Sequence, residues 1–228
     1  VDLLVRDRDR FLALGAADYV AKPSAAQPGA MDAVGQELLR KARALAGRGE
    51  AVPRTPSPSV PPARHPARGT PPRAVVVASS TGGPNALTTV VSGLPREFPL
   101  PILIVQHMPP LFTAMLAERL QRASSRPCVE ATDGLEIAPG TTYVAPGDHH
   151  MTVEARGGAA WLRLDQEPPQ NFCRPAADPL FRTAAAAYGA ALTAVVLTGM
   201  GHDGLEGARA VSAGGGTVIT QDQATSVV

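Results

Sequence analysis

Three residue types that together perform nucleophilic acyl transfer follow three apolar runs of the chain. Ser80 lies in the loop SSTGG after the run AVVVA, His107 follows ILIV, and Asp203 lies in the loop TGMGHDG after AVVL. In such chemistry a serine attacks, a histidine takes its proton, and an aspartate orients the imidazole and stabilises its charged form. The same residue types are common in turns, so the spacing alone leaves open that Ser80 or Thr81 simply caps the next helix.

The apolar runs themselves predict a parallel sheet. Continuous apolar segments are typical of strands that are buried on both faces. In an open α/β sheet, sites form beyond the carboxyl ends of the strands, so the three loops are expected to meet at one edge. The predicted strands are Ala74–Ala78, Ile102–Val105, Ala194–Leu197 and the pair Val218–Ile219 within TVIT.

Helical patterns alternate with these strands, which indicates an α/β fold with a doubly wound, mostly parallel sheet. An appended hairpin is predicted from Met151–Glu154 and Trp161–Leu164, with a turn at Gly157-Gly158 between them. The predicted helices begin near Pro84, span Leu111–Leu120, follow an N-cap pair Asp178-Pro179 through Leu180–Tyr188, and span Gly204–Val211.

Two other kinds of site compete with a serine-based one. The loop SSTGG would also fit a phosphate at a helix N-terminus, but neither nucleotide-binding glycine pattern is present and residues 74–228 contain no lysine. Asp148, His149 and His150 suggest a metal, but adjacent histidines after a Gly-Asp pair are more typical of a solvated turn. We therefore predict no metal. The α/β-hydrolases carry their triad in the order Ser, Asp, His and place the serine in a G-x-S-x-G elbow. The order here is Ser, His, Asp and no such elbow is present, so this template is excluded.

The composition of the 228-residue chain excludes several classes of protein. Its net charge of +1 argues against nucleic-acid binding through the chain as a whole. No apolar run is long enough for a membrane span and no signal peptide is evident, so membrane insertion is not expected. We interpret the two cysteines, Cys128 and Cys173, as reduced thiols of a cytoplasmic protein.

A proline-rich segment divides the chain. Eight of the 23 prolines lie between residues 51 and 73, where no acidic residue occurs. Such a segment buries too little apolar surface to offset its ordering entropy, so we predict an interdomain linker at residues 48–73, with an ordered proline-rich loop as the alternative. Residues 1–73 carry a net charge of +5 and residues 74–228 a net charge of −4.

The piece before the linker, residues 1–47, is too short to be a whole domain. Its pattern predicts helix, strand and helix, as at the end of an α/β domain. The second helix is predicted to end at Gly47 and is marked by apolar residues at helical spacing, namely Met31, Val34, Leu38, Ala42 and Leu45.

Four motifs in one order give residues 74–228 a resemblance to the catalytic domain of the chemotaxis protein-glutamate methylesterase family, CheB. Residues 13–23 also resemble the end of a response-regulator receiver domain, with Lys22 at the position of the lysine that contacts the phosphoryl group and Lys22-Pro23 at a bond usually cis in receivers. The four motifs are Ser79–Gly83, Gln106–Pro110, Tyr143–Asp148, and Leu197–Gly201 with Asp203-Gly204.

The resemblance implies roles for individual residues. Ser80, directly before Thr-Gly-Gly, falls on the nucleophile, whereas Ser79 is a rival whose side chain is expected to point away. His107 falls on the base and Asp203 on the carboxylate. Thr81 lies beside the nucleophile, and the backbone N–H of Met200 matches the oxyanion donor. Arg174 is a weaker candidate for contact with the substrate.

The resemblance also implies the activity and its setting. A serine esterase of this family hydrolyses glutamate γ-methyl esters on the cytoplasmic helices of chemoreceptors, releases methanol, and deamidates receptor glutamines by the same route. Neither metal nor organic cofactor is required. Chemoreceptors are the implied partners, with a chemotaxis histidine kinase as a further candidate. The alternatives are a catalytically impaired module that binds the receptor and a Rossmann-like nucleotide-binding domain.

The chain departs from the family pattern at several positions. Ala78 stands where a glycine is usual, and Cys173 stands where a histidine is common. The phosphate-accepting aspartate and a further C-terminal segment are absent, so we interpret the chain as truncated at both ends. With so little of the receiver, esterase activity is expected to be constitutive and to change less than about threefold when residues 1–73 are removed.

Overall fold

The computed structural model describes residue 20, residues 30–46 and residues 70–228. Most of the predicted receiver remnant, with Lys22-Pro23, and most of the predicted linker lie outside these residues. The predicted second helix is confirmed as α1, Ala30–Ala46. Two of its three leucines, Leu38 and Leu39, are each more than half exposed.

A six-stranded parallel sheet forms the centre of residues 70–228 and confirms the predicted fold class. The strands are β1 Ala74–Ser79, β2 Ile102–Gln106, β3 Cys128–Glu130, β4 Thr142–Val144, β7 Leu192–Val196 and β8 Thr217–Thr220. Their order in the sheet is β3-β4-β2-β1-β7-β8, which places β1 between β2 and β7.

Alternate residues of the central strands enter two separate cores. Val76 of β1 packs with Leu103 of β2 on one face of the sheet, whereas Val77 packs with Ile104 on the other. Burial on both faces explains why these strands are continuously apolar in the sequence. The sheet is therefore doubly wound, as predicted.

Helices cover both faces, and a hairpin extends one of them. The second and third helices, α2 and α3, pack on the face of Val77, whereas the last two helices and the hairpin pack on the face of Val76. The bounds are α2 Gly83–Gly93, α3 Phe112–Ser124, α4 Ala177–Tyr188 and α5 Leu205–Ala213 for the helices, and β5 His150–Arg156 and β6 Ala159–Asp165 for the hairpin.

Two predicted helix starts are wrong by a few residues. Leu111 precedes α3 in a left-handed conformation with φ 74°, so it lies outside the helix. Asp178 is not an N-cap, because α4 already begins at Ala177 and the carboxylate of Asp178 accepts a hydrogen bond from the Gly207 backbone N–H at 2.7 Å. Tertiary contacts, rather than local capping, thus set the position of Asp178.

The short strands β3 and β4 were not predicted. Each has only three residues, and Val129 in β3 is exposed, so neither shows a continuous apolar run. Because β4 pairs in parallel with β2 and β3 pairs with β4, Tyr143 and Val144 of β4 lie beside Leu103 and Ile104 of β2.

Candidate functional site

The loop after β1 separates its two serines. Ser79 is buried and its Oγ donates to Gln106 Oε1 at 2.8 Å, which confirms that this side chain points away from the open side. Ser80 is partly exposed and lines a cavity at the sheet edge. Gln106 Nε2 donates to the carbonyl oxygens of Ser80 and His107, at 3.0 and 3.1 Å. The amide of Gln106 therefore ties the two loops together.

Close backbone packing joins the loop of Ser80 to the loop after β7. The Ser80 backbone N–H donates to the carbonyl of Thr198 at 3.0 Å. A Cβ on Gly199 would lie only 2.8 Å from the Ser80 Cβ, so this position accepts no side chain without a shift of Ser80. Thr81 is buried beside it, and its carbonyl accepts from Thr198 Oγ1 at 3.1 Å.

The N-terminus of α2 differs from the expected cap. Gly82, with φ 78°, is the N-cap residue, and neither Ser80 nor Thr81 makes a side-chain cap. The side chain of Val227 packs directly against Gly82. Because the Val227 side chain lies over the first turn of α2, a phosphate is not expected to bind there, which argues against the phosphate-binding interpretation of the loop.

His107 and Asp203 are brought together from positions 96 residues apart in the sequence. The His107 Nε2 atom lies 2.7 Å from Asp203 Oδ2, and Cys173 Sγ lies 3.6 Å from the other ring nitrogen, Nδ1. With Nε2 paired to the carboxylate, Nδ1 is the nitrogen available for a proton from a nucleophile.

Four donors surround the carboxylate of Asp203. His107 Nε2 and the Ala177 backbone N–H contact Oδ2, the latter at 2.6 Å. Asn171 Nδ2 and the Asp178 backbone N–H donate to Oδ1, at 3.0 and 3.2 Å. The N-terminus of α4 thus supplies two backbone donors to an anion, an arrangement that favours the ionised carboxylate.

These contacts shift two pKa values in opposite directions. Burial alone lowers the pKa of His107, but hydrogen bonds and charge interactions with Asp203 and Cys173 outweigh it and raise the pKa to about 9. Burial raises the pKa of Asp203, yet the hydrogen bonds from His107, Ala177 and Asn171 bring it below its ordinary value. These interactions favour the protonated form of His107 and the ionised form of Asp203.

A cavity of about 540 Å³ collects the predicted site residues. Ser80, Thr81, His107, Met200 and Asp203 all line it. Among the described residues, no hydrogen bond joins Ser80 Oγ to His107, and no acceptor pairs with the backbone N–H of Met200. Catalytic hydrogen bonds often form only with substrate present, and an unpaired N–H at the wall is suited to a developing oxyanion.

Two further residues of the cavity wall bear on the sequence predictions. Lys41 of α1 lines the cavity, so a helix from before the proline-rich segment reaches the candidate site. Arg174 also lines it, but its guanidinium binds Asp148 Oδ1 at 2.6 and 2.9 Å and two backbone carbonyls at 2.9 and 3.0 Å. These contacts favour a structural role for Arg174 over the predicted substrate contact.

The prediction of a solvated turn at His149-His150 is wrong for His150. His149 is partly exposed and its backbone N–H donates to the carbonyl of Pro146 at 3.4 Å, as in a turn. His150 begins β5 and is 1% exposed. Its Nε2 lies 3.2 Å from the carbonyl of Pro168, and its Nδ1 accepts from the Ala176 backbone N–H at 3.2 Å. Within residues 30–46 and 70–228, no group of three or more His, Cys, Asp or Glu side chains is arranged to hold a metal.

Sequence reasoning missed the roles of two polar residues that organise the site. Gln106 belongs to a quoted motif, but nothing local indicates its contact with Ser79. Asn171 Nδ2 bridges Asp203 and the buried Asp178, whose Oδ2 accepts at 2.8 Å. The only local signal for Asn171 is its residue type, since asparagine tolerates the left-handed conformation found there, φ 51°.

The fold and the cavity together define an α/β protein in which loops at the carboxyl edge of a parallel sheet carry a serine and a histidine–aspartate pair. The family model of the CheB methylesterase matches residues 75–228. The chain belongs to this family. None of the helices in the described part of the chain is long and apolar enough to cross a bilayer.

Individual relatives agree with the family assignment. Protein-glutamate methylesterase/protein-glutamine glutaminase 2 of Caulobacter vibrioides is 51% identical over 96% of this chain and 64% of the relative. The group 2 operon enzyme of that name from Rhodopseudomonas palustris is 45% identical over 96% and 63%. The chain thus spans less than two thirds of the length of these curated relatives.

A solved structure supports the fold. The crystal structure of the Thermotoga maritima CheB methylesterase catalytic domain superposes with a TM-score of 0.68 and 46% sequence identity. The match covers 70% of this chain and 84% of the Thermotoga chain. At this identity the likeness supports a common family as well as a common fold.

Proposed function

We propose that this chain is a serine esterase that hydrolyses glutamate γ-methyl esters on chemoreceptors and releases methanol. The observation that carries the proposal is the 2.7 Å contact between His107 and Asp203 in a cavity that Ser80 also lines. The names of the relatives supply the substrate class, a methyl-esterified glutamate in a protein. Bacterial chemotaxis adaptation is the corresponding setting.

In the acylation step, Ser80 Oγ attacks the ester carbonyl carbon while its proton passes to His107 Nδ1. The Cys173 thiol, at 3.6 Å, gives up its contact with Nδ1 as the serine approaches. Asp203 holds the imidazole through Nε2 and stabilises its charged form. The backbone N–H of Met200 stabilises the oxyanion, a contribution of roughly 10²–10³ in rate for one such donor.

Collapse of the tetrahedral intermediate breaks the bond to the methoxy oxygen, which leaves as methanol with the proton from His107. Water then attacks the glutamyl–Ser80 ester while His107 accepts a proton of the water. As the bond to Ser80 Oγ breaks, His107 returns this proton to the serine, and the glutamate side chain of the receptor is left as a carboxyl group. A glutamine side chain forms the same acyl-enzyme with ammonia as the leaving group. The second activity in the relatives' names, protein-glutamine glutaminase, requires no additional group.

Three residues position this machinery without touching the substrate. Asn171 bridges the carboxylates of Asp203 and Asp178, so it fixes the plane of the Asp203 carboxylate. Gln106 sets the distance between the Ser80 and His107 loops. Arg174, bound to Asp148, holds the segment that carries Asn171 against the loop after β4.

The proposal includes the partners and the organisation of the chain. Cytoplasmic helices of methylated chemoreceptors are the substrates, a chemotaxis histidine kinase is a further partner, and the cytoplasm is the location. Residues 1–47 are the end of a receiver domain, residues 48–73 are a linker, and residues 74–228 are the catalytic domain. The assignment of residues 1–47 to the end of a receiver domain is supported by the helix pattern of the sequence and by helix α1.

Methanol release from a methylated chemoreceptor fragment tests the proposal. The unmodified chain is expected to release methanol, and Ser80→Ala is expected to abolish release. Ser79→Ala is the matched control, because Ser79 Oγ is buried against Gln106 and its loss should change the rate less than about fivefold. Receptor binding without methanol release would instead support the binding module, and loss of activity only in Ser79→Ala would contradict the assignment of the nucleophile.

A further inference from the structure

A tight turn at the cavity rim contains an unusual pair of residues. Gln170 and Cys173 exchange two backbone hydrogen bonds, at 2.9 and 3.1 Å. Between them lie Asn171 with φ 51° and Phe172 with φ 64°. Two central residues of positive φ between such a pair are the pattern of a type I′ turn, which favours asparagine followed by glycine.

Phe172 is a poor choice for the stability of this turn. A bulky side chain at positive φ is strained, whereas glycine adopts the same conformation without a steric penalty. The ring of Phe172 obtains no compensating burial, because the residue is 95% exposed. A residue that departs from local preference without gaining contacts indicates a constraint other than folding.

The position of Phe172 is nevertheless well defined relative to the reacting groups. The preceding residue, Asn171, donates to Asp203 at 3.0 Å, and the following residue, Cys173, contacts His107 Nδ1 at 3.6 Å. Phe172 also lines the same cavity as Ser80. A molecule that covers the Phe172 ring is thereby held at a set distance from the histidine–aspartate pair.

We propose that Phe172 is a specificity-determining residue that binds an apolar side chain of the ester-bearing protein, next to the glutamate that is hydrolysed. This inference rests on the proposed function and identifies how that site selects its substrate. A small ester fills the space around Ser80 and leaves the exposed ring uncovered. Only a substrate that continues beyond the cavity, as a polypeptide does, buries the ring and gains affinity from it.

Kinetics with two substrates test this inference. Phe172→Gly should raise KM for hydrolysis of a methylated chemoreceptor fragment about tenfold and leave kcat unchanged, since only binding outside the reacting centre is lost. Hydrolysis of p-nitrophenyl acetate, which is too small to reach the rim, should change less than twofold. Phe172→Leu, which retains an apolar side chain, should keep KM for the fragment within about threefold.

Stability and binding separate this inference from a folding defect and from the esterase proposal. Phe172→Gly should melt at or above the Tm of the unmodified chain, because glycine relieves the strained φ. Leu111→Gly is the matched control, since Leu111 also has positive φ and is 72% exposed but lies outside the cavity wall. It should leave KM for the fragment unchanged.

Several outcomes overturn the inference. An unchanged KM for the fragment in Phe172→Gly, or an equal rise in Leu111→Gly, contradicts a specific role of Phe172. If the unmodified chain hydrolyses no ester, the esterase proposal fails. The Kd of the fragment, measured in a Ser80→Ala background with and without Phe172→Gly, then decides the role of Phe172 by itself, and equal or undetectable binding rejects it.

Discussion

The strand-end loops and residues 170–178 support the candidate site by different means. The loops after β1 and β7 are joined by backbone packing, with Gly199 against Ser80 and a hydrogen bond from the Ser80 N–H to the Thr198 carbonyl. Residues 170–178 contain no strand of the sheet and act through polar contacts, chiefly the donors that Asn171 and the start of α4 offer to Asp203.

The two regions should therefore respond differently to substitution. Close backbone packing sets where Ser80 lies, so a change there is expected to alter the geometry and with it the whole proposed reaction. Hydrogen bonds to a carboxylate set charge and orientation, so a change there alters pKa values and gives graded losses. Substitutions in the two regions therefore separate position from electrostatics.

The largest effect is expected from substitution of Ser80 and His107, in the loops after β1 and β2. Ser80→Ala and His107→Ala should each reduce kcat for ester hydrolysis about 10³-fold or more, because neither group works without the other. The double variant should lose no more than about tenfold beyond either single one. Methanol release under saturating receptor fragment measures this, and losses that multiply in the double variant would contradict a joint role.

Substitution of Asn171 tests the polar contacts of residues 170–178 by themselves. Asn171→Ala removes a donor from Asp203 and should lower kcat roughly tenfold with little change in KM, because the carboxylate loses orientation but no substrate contact. Asn171→Asp should be worse, since it places a third carboxylate beside Asp203 and Asp178. Equal kcat in the two variants, or a change in KM only, would show that Asn171 acts through packing.

Cys173 offers a test of the pH dependence, because it adds to the effect of Asp203 on the pKa of His107. A base must be neutral to accept a proton, and His107 has a pKa of about 9, so kcat/KM should rise with pH up to about that value. Cys173→Ala removes a contact that raises this pKa, and the rise should shift to lower pH, with up to about tenfold more activity at pH 7 for each pH unit of the shift.

Cys128→Ala is the matched control for this pH profile. The Cys128 thiol is buried in β3, where burial raises its pKa to about 12, and it does not contact His107. The profile should therefore stay where it is in the unmodified chain. A profile of Cys173→Ala that coincides with that of the unmodified chain would show that the thiol does not influence His107.

The smallest effect is expected from the N-terminal piece. Removal of residues 1–73 should change kcat/KM for the receptor fragment less than about threefold. Lys41 reaches the cavity, but Leu38 and Leu39 of α1 are exposed, so apolar burial of these leucines does not fix the helix there. A rise of tenfold or more on removal would show that α1 inhibits the site, and Lys41→Ala in the longer chain would then locate the inhibition.

Much of the sheet could be predicted, because its central strands are buried on both faces and are therefore continuously apolar. The predicted start of the first strand at Ala74 coincides with the start of β1. The three-residue strands β3 and β4 lack such runs. The pairing of β4 with β2 and of β3 with β4, rather than local preference, makes them strands. Helix starts were less predictable, because buried contacts such as that of Asp178 with Gly207 override capping preference.

Ser80, His107 and Asp203 could be named as candidates before folding was considered, since a parallel sheet brings residues after its strands to one edge and the family resemblance singled them out. The resemblance also led to the expectation that the Ser79 side chain points away from the open side. The supporting contacts became visible in the folded chain alone, including the amide of Gln106 on two loops, Asn171 between two carboxylates and Cys173 on the imidazole. Such contacts join segments far apart in the chain and depend on side-chain direction after folding, which residue types and spacing do not encode.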